Sequence, residues 1–116
     1  MNLLQKFCLF LAFLTAIFIF YVSSLKTAPN PIPGFSYTPA VYHIVVFFLF
    51  SLFLFLSSRF EKEFIFSVLA ISFVYASLDE LHQFFVGREA SFFDLGLDFF
   101  GSAMSLVVRI FLKLKY

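Results

Sequence analysis

The chain has 116 residues, 62% of them hydrophobic and 13% charged, with a formal net charge of +1. A mean hydropathy of +1.00 and 22 phenylalanines exclude an ordinary soluble domain, because so short a chain leaves too much surface in water to hide that much apolar area. Lipid can cover it, so the composition indicates an integral membrane protein of one domain spanning 1–116, and the small net charge gives no reason to expect a nucleic-acid partner.

Leu3 to Val22 is almost unbroken apolar sequence, and its length suits a bilayer span of about 20 residues. No small-residue cleavage site follows it, so it reads as a retained first helix rather than a signal peptide. The single Cys8 has no partner for an intrachain disulfide and is expected to behave as a small hydrophobe. Ser23 to Pro39 then holds all four prolines and Gly34. Proline removes donors and fixes φ, so this segment predicts an external Pro-rich loop.

Ala40 to Leu56 predicts a second helix, with Pro39 placed for its first turn. The charged Ser57–Glu63 turn is short, which makes the flanking helices antiparallel neighbours. A third helix is expected over 64–85, ended by Gly87. A fourth, over about 92–112, begins at Ser91 or Asp94 and runs towards a basic tail. The expected architecture is all-α: a four-helix transmembrane bundle with the Pro-rich loop between helices one and two.

Four spans put both termini on one side. Lys6, Arg59, Lys62, Arg109, Lys113 and Lys115 fall on that side, against Lys26 and Arg88 on the other. The positive-inside rule therefore predicts cytoplasmic termini and an outward-facing opposite end.

The polar residues gather at that opposite end, between Ser77 and Ser105. Charged groups inside apolar sequence are unfavourable unless they pair, face water or bind something. On helix three Asp79, His82 and Gln83 recur at helical spacing, with Glu80 flanking. Asp79 lies about 22 Å along from Phe64 at 1.5 Å per residue, in the outer third of a hydrocarbon core about 30 Å thick. On helix four Asp94, Asp98, Gly101 and Ser105 fall on one face, two carboxylates above a seam of small residues. His43, early in helix two, comes to the same depth. Each feature also has a plainer reading: Asp94 and Asp98 as solvated or capping groups, Arg88 as an interfacial anchor, His43 as a hydrogen-bonded core residue, and Gly101 with Ser105 as packing.

The residues D-E-x-x-Q-x-F (Asp79, Glu80, Gln83, then Phe84 and Phe85), followed by Arg88, Asp94 and Gly101, resemble the VanZ-like family. The Tyr21-Val22-Ser23-Ser24 stretch before the Pro-rich loop, and His43 in helix two, extend the likeness across nearly the whole chain. Departures fall at Asp98, where many members carry Asn, and at Ser105, where a glycine is replaced. The resemblance implies a small bacterial membrane protein of the cytoplasmic (inner) membrane, cell-envelope biology and a link to glycopeptide (teicoplanin) resistance. It implies no particular chemistry.

The leading functional expectation is an outward-facing polar site for a lipid-linked cell-wall precursor or a phospholipid headgroup. Asp79, Glu80, His43 and His82 are its candidate catalytic, proton-handling groups. Gln83, Arg88, Asp94 and Asp98 are candidate substrate-binding residues, Arg88 for an anionic group. An oxygen-rich carboxylate set suits a divalent cation such as Mg, Mn or Ca. The sequence carries no nucleophile elbow, H-E-x-x-H or Gly-rich phosphate loop, so enzymatic activity is left open. Two alternatives stand beside it: a small proton-coupled transporter or channel using the acids and histidines as a relay, and a structural membrane subunit, including a homo-oligomer, packed through the Gly101/Ser105 face.

Overall fold

The computed structural model describes residues 1–26 and 37–115. The Pro-rich loop expected between the first two helices falls mostly on the intervening residues, outside those described. Four helices occur in the order α1 (Leu3–Ser23), α2 (Thr38–Ser57), α3 (Lys62–Val86) and α4 (Phe92–Lys115). There is no strand among the described residues. All four are long and apolar enough to cross a membrane.

Local signals fix the helix ends. Asn2 caps α1 through a reciprocal box: its side chain accepts the Gln5 amide at 2.8 Å and the Gln5 side chain accepts the Asn2 amide at 2.9 Å, relieving two N–H groups a helix start leaves unpaired. Pro39 sits in the first turn of α2, where a missing N–H removes no helical bond. Gly87, at φ 95°, closes α3: its amide donates to Phe84 O at 3.1 Å and the Arg88 amide to Gln83 O at 2.9 Å. That paired pattern needs a left-handed residue, which glycine supplies without a Cβ clash. Ser91 starts α4, its hydroxyl accepting the Asp94 amide at 3.0 Å.

The bundle is arranged about α2, which packs on α4, α1 and α3, whereas α1 lies against α2 and α3 and not against α4. The core is built from Ala12, Ile19, Val46, Phe47, Phe50 and Ala76. Much of the remaining phenylalanine points outward; Phe13, Phe66 and Phe85 are 63%, 74% and 75% exposed. In water such a surface would aggregate, while in a bilayer it is the lipid contact. Gly101 marks a close approach of α2 and α4. A Cβ there would overlap the carbonyl oxygen of Ile44 and come within 3.1 Å of the Phe48 nitrogen. Close backbone approach through a small residue is how membrane helices gain packing contact.

The two ends of the bundle differ chemically. Asn2, Gln5, Arg59, Arg109 and Lys113 line one open pocket, so the N-terminal end of α1, the α2–α3 turn and the C-terminal end of α4 lie together. Arg109 and Lys113 both stand over the Phe60 ring there, at 4.8 and 5.1 Å from its centroid. The acidic residues from Asp79 to Asp98 are at the opposite end.

Candidate functional site

Three helices deliver polar side chains to one depth. His43 lies five residues after Thr38, Glu80 six before Val86, and Asp98 six after Phe92. At the helical rise each is about 8–9 Å from its helix end, set back from that end of the bundle. All three are buried, Asp98 at 0% exposure, His43 at 3% and Glu80 at 7%.

The centre is a histidine held between two acids of α4. Nδ1 of His43 is 2.6 Å from Oδ1 of Asp98, and Nε2 is 3.9 Å from Oδ2 of Asp94. The α4 periodicity, which puts residues 94 and 98 one turn apart, is what brackets the ring. Glu80 enters from α3 and accepts the Ser91 amide at 3.2 Å, tying the end of α3 to the start of α4. One donor atom from each of His43, Glu80 and Asp98 lies within 4.8 Å of the others. Two carboxylate oxygens in this trio, Oε1 of Glu80 and Oδ2 of Asp98, are buried without a hydrogen-bond partner.

Asp79 and Gln83 form a second, adjacent pair. Nε2 of Gln83 donates to Oδ2 of Asp79 at 3.0 Å, both residues are buried, and the Ser23 hydroxyl reaches the Asp79 carbonyl at 3.4 Å. Arg88, turned back by the Gly87 cap, donates from Nη1 to the carbonyl of Val22 at 3.0 Å. That carbonyl belongs to the last turn of α1, where a cation meets orphan acceptors and the negative end of the helix dipole. The Tyr21–Ser24 stretch therefore serves as the latch of α1 onto α3.

His82 does not join the centre. Its Nε2 is 2.8 Å from the Ser24 hydroxyl and its ring stacks on Phe20 at 4.6 Å. Three residues of helix leave a rotation of about 60° from Asp79, enough to turn His82 onto the edge of α1 while Asp79 points inward. Glu80, expected at the flank of the stripe, is instead turned towards α4. The acid pair thus serves two neighbours, Asp79 facing α1 and Glu80 facing α4.

Sequence reasoning missed what lies beneath. The Ser51 hydroxyl is 2.7 Å from those of both Ser72 and Ser102, joining α2, α3 and α4 in the apolar interior. Ser102 also donates to the Asp98 carbonyl at 3.3 Å. The only available signal was three serines within Phe- and Leu-rich runs, each unremarkable alone.

A groove of about 430 Å³ runs between α3 and α4 beside this centre. Ser77, Glu80, Leu81, Phe84, Phe92 and Leu95 are among its lining residues. Leu81, Phe84 and Phe92 are 51%, 64% and 93% exposed, so the groove is open at the surface. Glu80 is the one ionisable group in its wall among the described residues.

Four apolar helices enclosing a recessed His–carboxylate cluster define a small multi-pass membrane protein with a polar site near one end of its bundle. Residues 1–113 match the family model described as VanZ/LLP1. The chain belongs to that family. Comparison with curated proteins and with solved structures gave no match.

Proposed function

We propose that this VanZ-like protein binds the polar headgroup of an envelope lipid, a phospholipid or a lipid-linked cell-wall precursor, at the His43/Glu80/Asp98 end of the bundle. The observation that carries this reading is the α3–α4 groove. Its wall is apolar and open along Leu81, Phe84 and Phe92, as an acyl or isoprenoid chain requires, and it leads to one carboxylate, Glu80. Small-molecule sites have this make-up, mostly apolar with a few placed polar groups. Arg88 supplies positive charge at the same end. The excess of Lys and Arg at the terminal end supports cytoplasmic termini and an outward site, where wall precursors are used and where a glycopeptide acts; the VanZ-like resemblance is what adds a role in teicoplanin resistance in a bacterial cytoplasmic membrane to this reading.

The test is native mass spectrometry of the chain released from lipid nanodiscs, together with teicoplanin susceptibility of cells producing each variant. Wild type is expected to retain a phosphorylated lipid. Ser77→Trp, which fills the groove, and Glu80→Ala are expected to lose it and to lose the susceptibility phenotype. Undiminished retention and phenotype in stably inserted variants would refute the proposal.

One observation favours a second reading, a proton-coupled transporter. The buried serines extend polar contacts from Asp98 to Ser72. Proteoliposome proton flux abolished by Asp98→Asn would select that reading over lipid binding.

A further inference from the structure

The site holds too many acids for an anionic ligand to approach unaided. Asp79, Glu80, Asp94 and Asp98 gather within two adjoining helix ends, and the nearby Arg88 is directed to the Val22 carbonyl. The partners of these acids can be followed atom by atom. Asp79 is answered by Gln83. Asp94 is partly exposed and can be hydrated. Glu80 and Asp98 are more than nine-tenths buried, and each keeps one carboxylate oxygen with no partner. A buried unpaired carboxylate oxygen is among the least favourable groups a protein interior can hold.

These two acids are also the ones whose donor atoms converge with a His43 nitrogen within 4.8 Å. Three donors arranged tetrahedrally at about 2.1 Å from a metal lie roughly 3.4 Å apart, so side-chain shifts of about 1 Å close the set. His43 and Asp98 already meet as two ligands of one ion would. Nδ1 lies 2.6 Å from Oδ1 of Asp98, and with the ring proton carried on Nε2 the Nδ1 lone pair is directed to the same point as that carboxylate. Asp94, 3.9 Å from Nε2, is the carboxylate nearest the proton on that nitrogen and so orients the ring from outside the set.

We infer that His43, Glu80 and Asp98 form a binding site for one divalent transition-metal cation, with Zn²⁺ or Mn²⁺ preferred over Mg²⁺ and Ca²⁺. One imidazole among carboxylates departs from the all-oxygen set that Ca²⁺ and Mg²⁺ favour. The cation offsets the excess negative charge and gives Glu80, in the groove wall, a neighbour that can attract a phosphate oxygen. The metal site stands on its own geometry, while this last role rests on the lipid-headgroup reading.

The experiment uses the full chain in nanodiscs, stripped with chelator, dialysed against Zn²⁺, Mn²⁺, Mg²⁺ or Ca²⁺ in turn and assayed for metal by elemental mass spectrometry. Saturation near one Zn²⁺ or Mn²⁺ per chain is expected, with Co²⁺ giving visible absorption that reports nitrogen and oxygen ligation. His43→Ala, Glu80→Gln and Asp98→Asn should each weaken binding at least about tenfold. Asp79→Asn, whose carboxylate is bonded to Gln83, should stay within about threefold. Circular dichroism checks that each variant is folded. If one fails, the wild-type chain still decides, through a rise in its melting temperature on metal addition. Absence of saturable binding by wild type, or binding undiminished by all three substitutions, would overturn the inference. Phospholipid retention measured on the wild-type samples separates the two proposals: lipid retained without saturable metal sinks this one alone, and metal bound without retained lipid sinks only the lipid reading.

Discussion

Three glycines test the packing that holds the site, because the structure gives each a different fate on substitution by alanine. At Gly101 the new methyl overlaps Ile44 O and lies 3.1 Å from both Ile44 C and Phe48 N, backbone atoms that cannot rotate away. Ordinary contact begins near 3.4 Å, so α2 and α4 must separate by roughly 1 Å. Overpacking of this kind costs about 1–3 kcal/mol, and membrane helices depend on small residues at such crossings. Gly101 is one turn below Asp98, and Ile44 adjoins His43, so the separation also stretches the 2.6 Å His43–Asp98 contact. Gly96 has nothing within 4 Å of its notional Cβ, and alanine there should stabilise α4 by about 0.5–1 kcal/mol through backbone entropy. Gly87 has open space but φ +95°. Alanine there should cost about 1–2 kcal/mol through backbone strain. The assay is detergent-titrated unfolding by circular dichroism, with the imidazole resonances of His43 read by NMR. A Gly101→Ala chain as stable as wild type, or a ranking other than Gly96→Ala above wild type and Gly101→Ala below it, would refute the close α2–α4 approach.

Further outcomes follow from the same geometry. A double-mutant cycle on His43→Ala and Asp98→Ala, measured without metal, should give a coupling of about 1–2 kcal/mol, above the average of about 0.6 for membrane hydrogen bonds; a coupling near zero would remove the pair as a structural unit. Ser51→Ala leaves the hydroxyls of Ser72 and Ser102 short of a partner and should destabilise by about 1 kcal/mol. Ser67→Ala, which loses only a bond to the Glu63 carbonyl on an exposed face, should change little in the same unfolding assay. In a Cys8→Ser background, Lys26→Cys should react with impermeant maleimide from outside intact spheroplasts and Lys62→Cys should not. The reverse pattern would invert the proposed orientation.

The helices were legible because four runs of apolar sequence each come near or reach the span length of about 20 residues, with Pro39 and Gly87 marking ends by backbone chemistry that tertiary context seldom overrides. The boundaries moved outward where polar residues joined a helix. Lys62 and Glu63 begin α3 two residues before the apolar run, and α4 extends three residues past Leu112 through its basic tail, since long charged stems can lie along the helix with their heads in the interface. The site was legible in outline because ionisable residues in a span are few. Its interior order was not. Whether Asp79, Glu80 or His82 faces the centre depends on a helix rotation of tens of degrees, set by how α3 sits between α1 and α4, and no spacing rule contains that angle. The Ser51–Ser72–Ser102 contact was out of reach because it joins residues on three helices whose relative depths emerge only from packing.

The separation of α1 from α4 bears on how the chain is made. Helices leave the ribosome in order, so α2 carries His43 into the bilayer while both of its acids are still unsynthesised, and the Glu80 carboxylate meets its Ser91 partner only when the start of α4 emerges. Through that interval α1 and α3 can already be fastened to each other by Ser23, Ser24, His82 and Arg88, none of which needs α4. Closure of the site therefore waits on α4. Until α4 packs, His43 lacks both of its acids and Glu80 lacks the Ser91 amide.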